Sequence, residues 1–266
     1  MGVEIICLQE AAHLVRRDPK YWVGVGHMYL AGLRNPLRSR TFRAAYFFCR
    51  HIDDVLDGDR DISGDPEDYV HSLLEGMDGK DHAPKIVSLY HFVIDRIEDS
   101  GANNLQQDFK DLIDVMIFDY ERSKDGRILT KKELDDYFSR TFVPGLNISL
   151  QIGGSRLRGS DLPEMVSTMG HLFSIRDMKM DLSRRVINIP QEELELSGLS
   201  GLISYDEVHR DSHLSRWMDC EVRKYRGVLN KCRDRLKREG DKSSRRICFP
   251  LVRSMERYSE RYFRGN

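Results

Sequence analysis

The stretch Arg50-His51-Ile52-Asp53-Asp54-Val55-Leu56-Asp57-Gly58-Asp59 decides the reading of this chain. Asp53 and Asp57 are four residues apart and share a helix face, with Asp54 about 100° round from Asp53. Followed backwards, that face continues through Cys49/Arg50, Tyr46 and Phe42. Carboxylates at the end of an aromatic stripe are costly to desolvate unless cations compensate them. A second segment repeats the pattern: Ile175-Arg176-Asp177-Met178-Lys179-Met180-Asp181-Leu182-Ser183-Arg184-Arg185. Asp177 and Asp181 are again one turn apart, with Phe173 and Gly170 on their face. Either cluster alone reads as a solvated helix end, and Arg50/Asp54 alone as a surface i, i+4 pair. Two clusters, each with adjacent arginines and an apolar run behind it, favour two helices facing one another across a cavity. Hard oxygen ligands of this kind suit Mg²⁺, which is usually completed by water and substrate phosphates. Arg50, Arg176, Arg184 and Arg185 lie within a turn of the acids and complement the same anion.

Outward from these segments the punctuation is helical. Asp18-Pro19 closes a first helix, and Asn35-Pro36 closes a second that starts near Tyr21. A third runs from about Leu37 to Asp57 and stops at Gly58. Polar loops follow at Gly58 to Pro66 and Gly76 to Pro84, then helices at about 85–100 and 103–122, split by Gly101. Thr130-Lys131-Lys132-Glu133 and Ser204-Tyr205-Asp206-Glu207 are capping boxes. The first opens a helix to about Ile152, with an interruption expected at Pro144-Gly145. Asp161-Leu162-Pro163-Glu164 starts another, and the second box opens a basic helix expected to reach about Glu239. A last helix is expected over about Ser244 to Tyr262. No segment alternates with period two. The fold class is therefore all-α, read as one domain over residues 1–266, with the motifs in about 20–196 and C-terminal helices over 204–263.

Composition narrows the function classes. The 266 residues carry 42 Lys+Arg and 43 Asp+Glu, a net charge of −1, and 32% charged residues, which suits long solvated helices. The longest apolar run, Ala44 to Cys49, falls far short of the roughly 20 residues that span a bilayer. The start of the chain lacks a signal-peptide pattern. Five cysteines without any CxxC point to reduced thiols and a cytoplasmic setting. Residues 206–266 hold 17 Lys/Arg and 10 Asp/Glu, but their alternating signs read as a solvated helix face rather than a nucleic-acid surface. His209 and His213 lack a third ligand spaced nearby and read as surface residues. Gly24-Val25-Gly26 is not a dinucleotide fingerprint, so nothing supports NADPH.

At the two acidic segments the sequence resembles the squalene/phytoene synthase family of head-to-head prenyl synthases, as a divergent member. Tyr46 to Asp57 is similar to that family's aromatic, Arg and Asp-rich helix. Arg176-Asp177 through Asp181-Leu182 and on to Ile189-Pro190-Gln191-Glu192-Glu193-Leu194 resembles its second acidic motif. Leu112 to Met116 with Asp119, then Thr130, Glu133-Leu134 and Tyr137, fall between them in the family's order. The chain departs from the pattern at Lys20 to Gly24, where the family has a Ser-x-Ser-Phe-like element. It departs again at Gly170 and Phe173 (Gln and Asn in the family), at Met180, and at Arg185-Val186-Ile187-Asn188 (Gly-Arg-x-Tyr).

The resemblance implies an isoprenoid synthase-type helical bundle with a central cavity, binding prenyl diphosphates through several Mg²⁺ ions. Asp53, Asp54, Asp57, Asp177 and Asp181 would be the metal-binding acids. Arg50 and Arg176 would lie beside the diphosphate, with Arg184 nearby, and Tyr137 falls where the family has a cavity-lining Tyr. An allylic cation must be shielded from water, and aromatic faces stabilise it by about 2 kcal/mol when desolvated. Phe42, Tyr46, Phe173, Tyr137 and Phe142 are the rings available. The expected reaction is Mg-dependent condensation of farnesyl- or geranylgeranyl-class diphosphates. Gly170 and Phe173 make the site more apolar, which keeps a class I terpene cyclase as the alternative, and a non-catalytic assembly or lipid-handling relative as the second. Membrane contact is expected to be peripheral at most; chain length and oligomeric state are not legible.

Overall fold

A computed structural model of the chain describes residues 2–19, 21–31, 35–79, 83–98, 104–201 and 203–265. Lys20 and Gly101, both used in the sequence reading, lie outside these residues. Among the described residues there are twelve α-helices, one 3-10 turn and no strand, the all-α class that the punctuation predicts; the helices Pro66–Met77 and Gln191–Ser197 are additional to those expected. The chain divides into two compact units, residues 1–117 and 118–266.

The first unit holds α1 (Val3–Arg17), α2 (Tyr21–Ala31), α3 (Pro36–Leu56), α4 (Pro66–Met77) and α5 (Val87–Glu98), and most of α6 (Leu105–Asp125). Helix α3 begins where Asn35 accepts from the Arg38 amide and Pro36 occupies the first turn, a position that needs no N–H. It buries Ala44, Phe47, Phe48, His51, Ile52 and Val55 against α1 and α5. Phe48, Tyr90 and Phe109 meet with tilted and edge-on rings 5.4–5.9 Å apart, an arrangement that aromatic quadrupoles favour.

The second unit holds α7 (Lys131–Ile152), the 3-10 turn Gly159–Asp161, α8 (Pro163–Ser183), α9 (Gln191–Ser197), α10 (Tyr205–Arg210), α11 (Ser212–Arg238) and α12 (Lys242–Gly265). Helix α8 is its axis, packed by α7, α11 and α12. Both capping boxes form, at Thr130/Glu133 and Ser204/Glu207. Two expectations are corrected. Helix α7 runs through Pro144 without interruption. The expected basic helix from 204 is two helices, because Asp211 leaves the helical conformation and caps α11 by accepting from the Leu214 amide. His209 and His213 therefore sit on different helices. His213 meets Glu193 at 2.8 Å, and His209 packs edge-on against Tyr205. The buried stripe of α11, Leu214-Met218-Val222-Tyr225-Leu229-Cys232-Leu236, leaves its basic residues outside, paired in part with Glu164, Glu239 and Glu256. All five cysteines are free thiols.

Candidate functional site

In the first unit the acidic end of α3 is an ion-pair cluster. Asp54 has a side chain only 2% exposed; its Oδ1 accepts from Arg17 Nη1 at 2.6 Å and lies 2.7 Å from Arg50 Nη2. Arg50 Nη1 donates to Asp53 Oδ2 at 2.6 Å, and Arg17 also reaches Asp59 at 2.9 Å. Burial works to lower the Arg50 pKa, but Asp53 and Asp54 outweigh it and raise it, so the guanidinium is permanently charged. Asp57 caps α3, its amide donating to the Asp53 carbonyl at 2.8 Å. Tyr46 is partly buried; burial raises its pKa, with Arg50 acting in the opposite direction. Phe42 lies off the buried stripe of α3 and is 36% exposed.

Beside this cluster is a network the sequence reading missed. Arg60 donates to both oxygens of Glu10, at 2.5 and 3.2 Å, and His51 lies 3.3 Å from Glu10 and 2.9 Å from the Tyr69 hydroxyl. Burial would raise the Glu10 carboxyl, but His51 and Arg60 hold it below its usual range. The network ties the loop after α3 back to α1. Its bonded pairs are up to 50 residues apart, so no local pattern announces them.

In the second unit the second motif sits on a buried polar chain. Tyr137 Oη donates to Asp119 Oδ2 at 2.5 Å; Asp119 Oδ1 lies 3.0 Å from Arg122 Nη2. Arg122 Nη2 donates to Asn188 Oδ1 at 2.7 Å, and Asn188 Nδ2 donates to Asp181 Oδ2 at 3.0 Å. The Arg122 side chain has no exposed surface, and its guanidinium lies 4.7 Å from the Tyr137 ring centroid. Burial, with Asp119 beside it, pushes the Tyr137 hydroxyl well above its usual pKa, so it stays protonated as a donor. Desolvation lifts the Asp181 carboxyl to about 7; the nearby Asp177 and Asp119 add to this, while Asn188 and Arg184 oppose it.

The rest of the second motif is more open. Asp177 is gripped by its own neighbour, Arg176 Nε and Nη2 donating at 2.8 and 2.5 Å. The Arg176 guanidinium lies 4.1 Å from the Phe173 ring centroid, and Phe173 meets Phe142 edge-on at 6.0 Å. Tyr258 of α12 also belongs to this region: burial raises its pKa, and Arg176 and Asp177 both act on it. Gly170 opens no space. A Cβ there would stand 2.4 Å from Phe138 Cγ, so the Phe138 ring already fills the volume in front of it.

A carboxyl such as Asp181, whose proton affinity is raised by burial and by the nearby Asp177 and Asp119, is one that a divalent cation relieves, and its hard oxygens fit Mg²⁺. Among the described residues no three His, Cys, Asp or Glu converge as a ready-made metal centre. Asp54 fits differently, since two guanidinium groups already occupy its Oδ1.

An all-α fold carrying two helices with Arg-bracketed Asp pairs is the architecture of a prenyl synthase-type protein. The squalene/phytoene synthase family profile matches residues 28–262, and the chain belongs to that family, whose members are prenyltransferase-type enzymes. Among solved structures it is similar to the squalene synthase HpnC from Alicyclobacillus acidocaldarius. The match covers 100% of this chain and 96% of that one, with a TM-score of 0.69 and 19% identity. That likeness bears on the fold. No curated protein matches the sequence. No helix among the described residues is long and apolar enough to cross a membrane.

Proposed function

We propose that the chain is a Mg²⁺-dependent synthase that ionises an allylic prenyl diphosphate of the farnesyl or geranylgeranyl class and joins it head to head with a second. The observation that supports this reading is the second acidic segment in a member of this family, where the buried Asp181 carboxyl is acted on by Asp177 and Asp119 and Arg176 donates to Asp177. Asp53 and Asp57 of the first unit, and Asp177 and Asp181 of the second, would hold the metal, and Asp54 instead fixes Arg17 and Arg50. Bound Mg²⁺ would neutralise the charge that develops on the leaving diphosphate.

The chain's own groups do the rest. Arg50, Arg176 and Arg184 bind diphosphate oxygens by charge-assisted hydrogen bonds. As the allylic C–O bond breaks, the electron pair leaves with the diphosphate. Tyr46, Phe142 and Phe173 present ring faces to the cation and exclude water. The second substrate's alkene supplies the electrons for the new C–C bond. The cation this leaves on the second substrate closes to a cyclopropane by losing a proton, which the released diphosphate accepts. The Tyr137 hydroxyl keeps its proton and is aimed by Asp119, a fixed dipole rather than a base. Membrane contact for the greasy substrates would be peripheral.

Pyrophosphate release from farnesyl and geranylgeranyl diphosphates, with and without Mg²⁺, tests the reading. Metal-dependent release and a product with twice the substrate's carbon count are expected. No release from either substrate overturns it. A product with one substrate's carbon count would replace coupling with cyclisation.

A further inference from the structure

The first unit contains a cavity of about 490 Å³ lined by Glu4, Tyr29, Pro36, Leu37, Arg40 and Arg43. It lies at the N-terminal half of α3; Arg43 precedes Asp53 by ten residues, about 15 Å of helix rise. None of its lining residues belongs to the acidic motifs.

Arg43 is only 6% exposed. Its Nη1 donates to Ser39 Oγ at 2.8 Å and its Nη2 to Glu4 Oε1 at 2.7 Å, but its buried Nε donates to nothing. Arg40 Nε stands 3.3 Å from the same Glu4 oxygen without a hydrogen bond. The Tyr29 hydroxyl is also buried, with the Arg43 guanidinium against it at 4.3 Å from the ring centroid, and its own O–H has no acceptor. Three buried donors that make no aligned hydrogen bond therefore line one cavity. Leaving such groups unmatched is costly, so a site that gathers them is a site for an acceptor. Two guanidinium groups against one carboxylate leave a net positive charge. The apolar side of the cavity is Pro36 and Leu37. Leu37 is 51% exposed, and Ile5 and Leu30, next in sequence to Glu4 and Tyr29, are 50% and 62% exposed.

We propose that Arg40, Arg43 and Tyr29 form a binding pocket for a phosphate group, separate from the acidic motifs. A tetrahedral oxyanion accepts from both Nε–H groups and the hydroxyl at once. The group arrives on a lipid headgroup, with the exposed apolar rim against the acyl region, or as a free phosphate. Glu4 competes for the same donors and sets the affinity.

The full-length protein is titrated with inorganic phosphate without Mg²⁺, and separately with vesicles of pure phosphatidylcholine or with one third phosphatidylglycerol. Saturable binding of phosphate assigns the pocket to free phosphate; binding only to the anionic vesicles assigns it to a headgroup. Either binding is expected to weaken about tenfold in Arg40→Gln and Arg43→Gln, as for loss of a charge-assisted bond. Weakening in Tyr29→Phe and tightening in Glu4→Gln are expected as well. Arg43 is buried, so if Arg43→Gln does not fold the other three variants decide. Binding to neither probe, or binding that all the folded variants retain, overturns the proposal.

Discussion

Asn188 joins two charges that are far apart in sequence: its amide nitrogen donates to Asp181 at 3.0 Å while its carbonyl oxygen accepts from Arg122 at 2.7 Å. One neutral side chain thus holds a carboxylate of the second motif in register with a fully buried guanidinium. Asn188→Leu removes both bonds and restores neither. Each orphaned group costs about 1–3 kcal/mol, so a loss of about 3 kcal/mol is expected in urea unfolding. Diphosphate release should fall at least as much as with Asn188→Gln, which can remake one of the bonds. Unchanged stability in Asn188→Leu would show that the chain from Tyr137 to Asp181 is not a connected network.

Asp53 and Asp54 are adjacent but should fail differently. The Asp53 side chain is 34% exposed and pairs with Arg50 at the surface, so Asp53→Asn should cost less than about 1 kcal/mol. It should nevertheless abolish Mg²⁺-dependent pyrophosphate release. Asp54→Asn leaves Arg17 and Arg50 without their shared buried counter-charge, and about 3 kcal/mol of stability should be lost. Thermal melts beside activity assays separate the two. Equal melting temperatures would remove the distinction between ligand and anchor.

Arg185 adopts a φ of +61°, in the left-handed region. It stands where the family pattern has Gly, which enters that region freely, whereas a residue with a Cβ loses about 1–2 kcal/mol. Arg185→Gly should relieve the strain, partly offset by the greater freedom of an unfolded glycine, for a net gain of about 0.5–1 kcal/mol. A lower unfolding midpoint would mean the Arg185 side chain holds the turn by contacts that outweigh its strain.

Gly170 and Phe138 are coupled through the Cβ position that Phe138 covers. Gly170→Ala gains about 1 kcal/mol of helix propensity but overpacks the ring, and a net loss of about 1–2 kcal/mol is expected. In the Phe138→Ala background, which removes the Cγ and Cδ2 atoms and keeps only Cβ of the three that stand closest, the same change should cost clearly less. Additive effects in that cycle would show that the two sites do not touch.

Helix α3 was legible because its signals are local: Asn35-Pro36 at one end, Gly58 at the other, and a buried period between. The roles of Asp53 and Asp54 needed the stripe as well. Ala44, Phe47, His51 and Asp54 lie on one side of the helix, so Asp54 points toward the core and Asp53 away from it. The Asp211 break carried a readable N-cap signal that the stronger box at Ser204 overshadowed. The Arg122–Asn188 bond spans 66 residues, and the Gly170–Phe138 packing depends on how α7 lies on α8. No sequence period encodes either. Tyr258 lay hidden for a related reason, on a helix without motifs whose placement alone brings it to Arg176 and Asp177.

Acid stability should carry the mark of Asp241, which caps α12. Burial would raise its carboxyl, but the Arg156 and Ser244 amides, the Ser155 hydroxyl and the Ser243 amide hold it down to about 2. A carboxyl with a depressed folded-state pKa stabilises fully above its unfolded value, near 3.9, and loses that contribution as the pH falls toward 2. The group is largely solvated, so its worth is that of an N-cap, about 1 kcal/mol, rather than the full shift. Wild type should therefore exceed Asp241→Asn in urea midpoint at pH 7, with the gap narrowing between pH 4 and 2. Asn can still cap, so Asp241→Ala should lose more at pH 7 and change less with acid. A gap between wild type and Asp241→Asn that stays constant from pH 7 to 2 would show that the Asp241 charge adds nothing to the cap.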